Sequence, residues 1–251
     1  MSNSERDHRQ AMTKNAVHIE GLSFGYTPEQ PVLRIKELSI ASGRRVFLYG
    51  PSGSGKTTFL SMISGVLVPQ LGTVMVLGQD LTRSSPSARD TLRGSQIGYI
   101  FQGFNLIPYL TVAENIALPC NLHRARRARI RAATVGEEVL RLTQRLGIHA
   151  QLDAAVTKLS MGQQQRVAIA RAIIGAPELV IADEPTSSLD TDARDAFLEL
   201  LNEAVDTAEA HDDIKTTLLF VSHDRSLATH FDESLSIAPF RNDNSSTGET
   251  A

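Results

Sequence analysis

The residues Gly50-Pro51-Ser52-Gly53-Ser54-Gly55-Lys56-Thr57 fit the spacing G-x-x-x-x-G-K-[ST], after an apolar run and before residues with helical spacing. Such a segment grips a phosphate chain. Its glycines let the backbone wrap the anion so that successive N–H groups and the helix amino terminus meet its oxygens. Lys56 is then expected to reach the β- and γ-phosphates of a bound triphosphate. Thr57 would give its hydroxyl to Mg²⁺, and Thr58 would add a further phosphate contact. Taken alone, the loop would suit a kinase, a GTPase, a helicase or a transport motor. A second run, Leu179-Val180-Ile181-Ala182-Asp183-Glu184, reads as a buried strand that delivers two adjacent carboxylates at its carboxyl end. Asp183 would hold the Mg²⁺ shell through water, and Glu184 would polarise the attacking water as general base.

These residues need elements to position them. Short apolar or alternating runs at 17–26, 32–41 and 46–50, broken by Gly25, Pro28, Pro31 and Gly43, predict strands. Residues 56–65 carry helical spacing with Gly65 as a stop, and 73–77 return to strand character. Residues 82–96, rich in Ser, Arg and Thr around Pro86, predict a loop with at most a short helix. After a strand at 97–101, the spacing from 103 to 158 turns helical, with Val135, Val139, Leu142 and Leu146 on one stripe. A helix at 162–174, stopped by Gly175 and Pro177, precedes the acidic strand, and 218–222 repeats that strand's form. Alternating strands and helices imply a mostly parallel α/β sheet covered on both faces, with ligands at the carboxyl ends of its strands.

Residues Lys158-Leu159-Ser160-Met161-Gly162-Gln163-Gln164-Gln165-Arg166 resemble the LSGGQ signature of the ABC transporter ATPase family. In that family the signature of one subunit closes over ATP held by the phosphate loop of another, so two head-to-tail copies complete two sites. By that resemblance Ser160 offers a hydroxyl, Gly162 lets backbone N–H groups approach the γ-phosphate, Gln163 joins the nucleotide contacts, and the helix points its positive end at the anion. Met161 replaces the family's first glycine, so its side chain must turn away from the nucleotide.

The resemblance runs from about residue 17 to 240, and further matches fall in the family order. Gln102 looks like the Q-loop glutamine that senses Mg²⁺ and the attacking water. Ser187-Ser188-Leu189-Asp190 resembles the D-loop that crosses the dimer interface, and His223 the switch histidine at the γ-phosphate. Tyr26 stands near the position of the aromatic that stacks on adenine, with Phe24 as the competing candidate. The stretch 101–115 is similar to the lipoprotein-release and macrolide-export branch, where a cytoplasmic helix of the permease rests; internal packing of the helical lobe is the competing reading. The implied fold is an α/β phosphate-loop core over residues 16–240, with an amino-terminal antiparallel layer and a helical lobe inserted at about 103–159. Polar tails are expected at 1–15 and 241–251.

Composition narrows the classes. A net charge of -3 gives no general attraction for nucleic acid. Cys120 is the sole cysteine, which excludes an internal disulfide and a cysteine-rich metal site. Neither a secretory leader nor about twenty consecutive apolar residues occurs, so a cytoplasmic protein, peripheral on the inner face of the membrane and driving a separate integral permease, is expected. With only a short segment after His223, no carboxyl-terminal regulatory domain is expected, which tilts the reading weakly toward release or export. The arginines at 124, 126, 127, 129 and 131 read as a solvated helix face, with a lipid-headgroup or nucleic-acid contact as the alternative. The remaining alternative function is a regulatory or mechanotransmitting ATPase that moves no solute.

Overall fold

The computed structural model describes residues 15–27, 30–187, 189–208 and 215–237. The expected tails lie outside these residues, apart from Asn15, which starts a strand. In chain order the elements are β1 (Asn15–Phe24), β2 (Leu33–Ala41), β3 (Arg45–Tyr49), α1 (Lys56–Ile63), β4 (Leu71–Val76), β5 (Gln79–Asp80), α2 (Pro86–Gln96) and β6 (Ile97–Ile100). There follow α3 (Val112–Leu122), α4 (Arg124–Arg127), α5 (Val135–Arg145), α6 (Met161–Ile173), β7 (Leu179–Asp183), α7 (Thr191–Ala208), β8 (Thr217–Ser222) and β9 (Glu233–Ser236).

Two sheets form. The first, in the order β2-β1-β4-β5, pairs antiparallel throughout and is the expected amino-terminal layer. The second, in the order β6-β7-β8-β3-β9, pairs parallel throughout. Its inner strands are apolar on both faces, because each face meets a different layer. Phe47, Val180, Ala182, Leu218 and Phe220 pack with the helices α3, α5, α6 and α7. Their neighbours in sequence, Val46, Leu48, Leu179, Ile181, Leu219 and Val221, pack with α1 and the antiparallel sheet.

The helical stripe emerges as read: Val139, Leu142 and Leu146 are buried and Val135 packs beside them. Residues 82–96 differ from expectation. They hold an eleven-residue helix, α2, started by Ser85, whose hydroxyl accepts from the Ala88 N–H at 3.2 Å, with Pro86 as first helical residue. Ser-Pro is a helix-start signal that the polar composition obscured. The long helix α7 and the edge strand β9 had no counterpart in the sequence reading.

The arginine-rich segment also departs from a solvated face. Arg126 is 1% exposed, and its guanidinium donates to Ile174 O at 2.7 Å, Ile97 O at 3.1 Å and Ala172 O. It thereby satisfies carbonyls at the carboxyl end of α6, which no intrahelical amide can reach, and ties them to the start of β6. Burial holds its pKa down to about 10, so it is still cationic at neutral pH. Arg129 bonds Gly175 O and Ser95 O alongside. Arg126→Met leaves three buried carbonyls unpaired and should cost about 3 kcal/mol of unfolding free energy in urea titrations. Arg127→Ala, on the exposed side of the same turn, should change stability by less than about 0.5 kcal/mol.

Candidate functional site

The carboxyl ends of four neighbouring parallel strands gather the chemistry. β6 leads into Gln102, β7 ends at Asp183 with Glu184 next, β8 leads into His223, and β3 leads into the glycine loop. The loop closes tightly where β3 ends. A Cβ on Gly50 would lie 2.4 Å from Ile237 Cγ2 and 2.6 Å from Ser54 Oγ, so only glycine fits. Gly55, at φ 95°, takes the left-handed turn that starts α1. Ser54 is buried beneath the loop, and its Oγ has no hydrogen-bond partner among the described residues.

A cavity of about 320 Å³ opens over the loop, lined by Val32, Ser52, Gly53, Gly55, Lys56, Thr57, Thr58, Gln102, Asp183 and Glu184. Lys56 is buried at its centre. Its ammonium donates to Gly50 O at 2.9 Å and Pro51 O at 3.2 Å and lies 3.3 Å from Glu184 Oε1. Glu184 Oε2 in turn lies 3.4 Å from Nδ1 of His223, whose side chain is exposed. Glu184 has φ 44°, a left-handed conformation that costs a branched-free acidic residue about 1 kcal/mol, and its N–H is held by Val221 O at 2.9 Å. That constraint swings its carboxylate off the line of the strand and toward Lys56. Burial raises the pKa of Asp183 above the ordinary carboxylate range; the Tyr99 hydroxyl opposes that rise by donating to Oδ2 at 3.4 Å, and the Glu184 charge adds to it.

Of the other residues singled out in the sequence, Gln102 lines the cavity, while Tyr26 and Asp190 are not among its lining residues. Tyr26 lies past the end of β1, not in it, and is 68% exposed. Its hydroxyl meets Thr58 Oγ1 at 3.1 Å, and its ring rests edge-on against Phe24, which is buried. Exposure and position thus favour Tyr26 over Phe24 as the free aromatic face. Gln102 donates to Ser187 Oγ at 3.1 Å, joining the end of β6 to the turn after β7. Ser188 lies outside the described residues. The Asp190 carboxylate accepts from Ala193 N–H at 2.9 Å in the first turn of α7, so within the chain it serves as a helix cap.

Ser160, Gly162 and Gln163 stand apart from the cavity, at the amino end of α6. Ser160 Oγ accepts from Gln163 N–H at 3.3 Å while Gln163 Oε1 accepts from Ser160 N–H at 3.0 Å, a reciprocal cap that fixes the turn. The N–H groups of Met161 and Gly162 have no partner among the described residues. Nothing inside the chain demands a glycine at 162, where a Cβ would meet only Gln165 Oε1 at 3.9 Å. Met161 is 51% exposed beside it. This is a stiff, donor-bearing turn with clearance for a group from outside.

A glycine loop entering a helix, a lysine over it, and an Asp-Glu pair at the end of a parallel strand of the same sheet define a phosphate-loop nucleotide hydrolase. The chain belongs to the ABC transporter family, whose profile matches residues 33–187. It is 43% identical over 202 residues to the lipoprotein-releasing system ATP-binding protein LolD of Anaeromyxobacter dehalogenans, covering 80% of each chain. With an uncharacterized ABC transporter ATP-binding protein of Mycobacterium tuberculosis, Rv0986, it shares 37% identity over 232 residues, covering 92% of this chain and 83% of the relative. Among solved structures it is similar to the ATP-binding cassette MJ0796, dimeric in a post-hydrolysis state with ADP and Pi. The TM-score is 0.72 at 28% identity, covering 90% of this chain and 94% of that one. The protein is accordingly an ATP-binding and ATP-hydrolysing cassette of the α/β phosphate-loop class, on the branch that holds the lipoprotein-release subunits.

Sequence reasoning missed Tyr99, Ser187 as the partner of Gln102, and Val32 in the cavity wall. The signal for Tyr99 lay in strand parity, since its distance from Asp183 follows from the pairing of β6 with β7. Replacing Tyr26 by Ala should weaken ATP binding about tenfold, the worth of one stacked base, in a fluorescence titration. Replacement by Phe, which keeps the ring, should leave binding within about twofold.

Proposed function

We propose that this chain works as one of two identical ATP-hydrolysing subunits paired head to tail, seated on an integral membrane permease at the inner face of the cell membrane, with Mg²⁺ at each site. The observation that carries this reading is the division of the site into two halves within one chain. The cavity holds Lys56, Thr57, Asp183 and Glu184, while the Ser160 turn, with two unpartnered amides, is remote from it. A second copy brings one chain's turn over the other's cavity, as the dimeric state of MJ0796 suggests. No helix among the described residues is long and apolar enough to cross a membrane. Residues 16–240 form the ATPase unit, with 103–159 as its helical lobe.

The side chains suit Mg²⁺. Thr57 and Asp183 offer oxygen donors on one cavity, and no cluster of three His, Cys, Asp or Glu occurs among the described residues. That is the pattern of a cation that takes its remaining ligands from phosphates and water. When bound, Mg²⁺ neutralises charge on the β- and γ-phosphate oxygens. Lys56 leaves Glu184 and the loop carbonyls for the phosphates; the freed Glu184 carboxylate then orients and deprotonates the attacking water, and His223 contacts the γ-phosphate. Gln102, bonded to Ser187, links this cavity to the segment after β6. The γ-phosphate is gripped from both subunits, so ATP holds the pair closed and hydrolysis releases it.

The permease fits the face around the segment after β6. A groove of about 230 Å³ there is lined by Phe101, Leu118, Pro119, Leu122 and His123, with Leu122 68% exposed. Tyr109 projects close by in sequence and is exposed. Part of 101–115 is internal: Phe104 is buried, and the Asn115 side chain fastens Ile107 and Thr111. Internal packing thus accounts for Phe104 and Asn115, and the docking proposal is confined to the exposed residues of the stretch.

Glu184→Gln tests the proposal. In ATP and Mg²⁺ it should elute as a dimer by size exclusion with light scattering, where the same variant in ADP elutes as a monomer. Phosphate release should fall by about a hundredfold or more, the usual loss with a general base. Wild-type turnover, or a monomer in ATP, would overturn the reading.

A further inference from the structure

We propose that Tyr99 is the residue that positions Asp183 for the divalent cation, its hydroxyl holding the carboxylate and its ring braced by Phe101 at the wall of the exposed groove. The proposal rests on the magnesium reading above and adds a residue outside every motif recognised in the sequence.

Strand parity places the three side chains together. β6 and β7 run parallel with Ile97 opposite Leu179 and Tyr99 opposite Ile181. Side chains alternate along a strand, so Tyr99 and Phe101 share the face on which Leu179, Ile181 and Asp183 point. The Tyr99 hydroxyl reaches Asp183 Oδ2 at 3.4 Å, the long end of hydrogen-bond range, and is the one side-chain donor to that carboxylate among the described residues. Lys56 and Thr57, the other groups on this side of the cavity, make no hydrogen bond to it.

The ring that carries the hydroxyl cannot turn freely. It stacks on Phe101 with centroids 4.2 Å apart and 29° between planes, while its other surroundings belong to the buried cluster beneath the sheet. Phe101 is 37% exposed, and both rings line the groove with Leu118, Pro119 and Leu122. A phenylalanine would fill the same volume as Tyr99 and keep the stack. The hydroxyl is therefore unexplained by packing, and its sole polar contact among the described residues is the carboxylate assigned to the metal. A carboxylate that must meet a cation in one orientation loses less rotamer freedom on binding when a fixed donor already holds one oxygen.

Tyr99→Phe removes the donor alone. The measurement is retention of Mn²⁺, used in place of Mg²⁺ and followed by electron paramagnetic resonance of the free ion, by the full chain saturated with ADP. Affinity for ADP in EDTA and the Tm are measured alongside. We expect about fivefold weaker Mn²⁺ retention, with metal-free ADP affinity within twofold of wild type. Phe101→Ala keeps the hydroxyl but removes its brace, and should weaken retention by about twofold to threefold. Equal Mn²⁺ retention by wild type and Tyr99→Phe would overturn the assignment, as would an equal loss of metal-free ADP affinity, which marks a merely structural residue. If Tyr99→Phe does not fold, unchanged retention by Phe101→Ala overturns it instead. Should the wild-type complex hold no Mn²⁺ at all, the magnesium reading fails together with this one. Neither result depends on pairing of subunits or on the permease, and Mn²⁺ held equally by wild type and Tyr99→Phe sinks this assignment alone and leaves the magnesium reading standing.

Discussion

The ammonium of Lys56 stands between two backbone carbonyls of its own loop and the carboxylate of Glu184, and the site is organised around that charge. A buried cation is tolerated only where acceptors surround it. Gly50 and Pro51 supply two because the loop folds back at a position where no side chain fits. Glu184 supplies the third because a left-handed residue at the end of β7 turns its carboxylate inward. Backbone strain, steric exclusion and charge compensation therefore meet at one nitrogen atom, the group proposed to take the phosphates.

Parallel pairing makes the convergence possible. β8 lies between β3 and β7, so the loop and the acidic pair are about two strand spacings, roughly 10 Å, apart at the backbone. Lysine and glutamate side chains span that gap. An antiparallel arrangement would have sent one of them to the opposite edge of the sheet. The helix after the lobe answers a different need: α6 carries the Ser160 turn, whose reciprocal cap spends side-chain groups on rigidity.

Much of this was legible in the sequence where one residue type has one physical use. A lysine after the glycine loop, paired acids after an apolar run, and the stripe Val135, Val139, Leu142 and Leu146 carry their meaning locally. What was not legible depends on partners distant in the chain. Arg126 reads like its solvated neighbours Arg124 and Arg127, and only the packing of α4 against the ends of α6 and β6 makes it a buried donor. Asp190 was read by resemblance as an interface residue, yet it also caps the helix that follows. The helix α2 was hidden by a composition of Ser, Arg and Thr, while α7 lies between Asp190 and His223, and β9 after His223, where no motif marks an element.

The grip of Arg126 on the far end of α6 has a mechanical consequence. A thirteen-residue helix is about 20 Å long. With its last carbonyls bolted to β6 through one guanidinium, it can swing but hardly slide, and the fulcrum sits at Ala172 and Ile174. Any tilt the helix undergoes is thus amplified toward its opposite tip, where Ser160 and Gly162 stand, and a small rotation near the bolt becomes the largest excursion at the turn proposed to meet the mate.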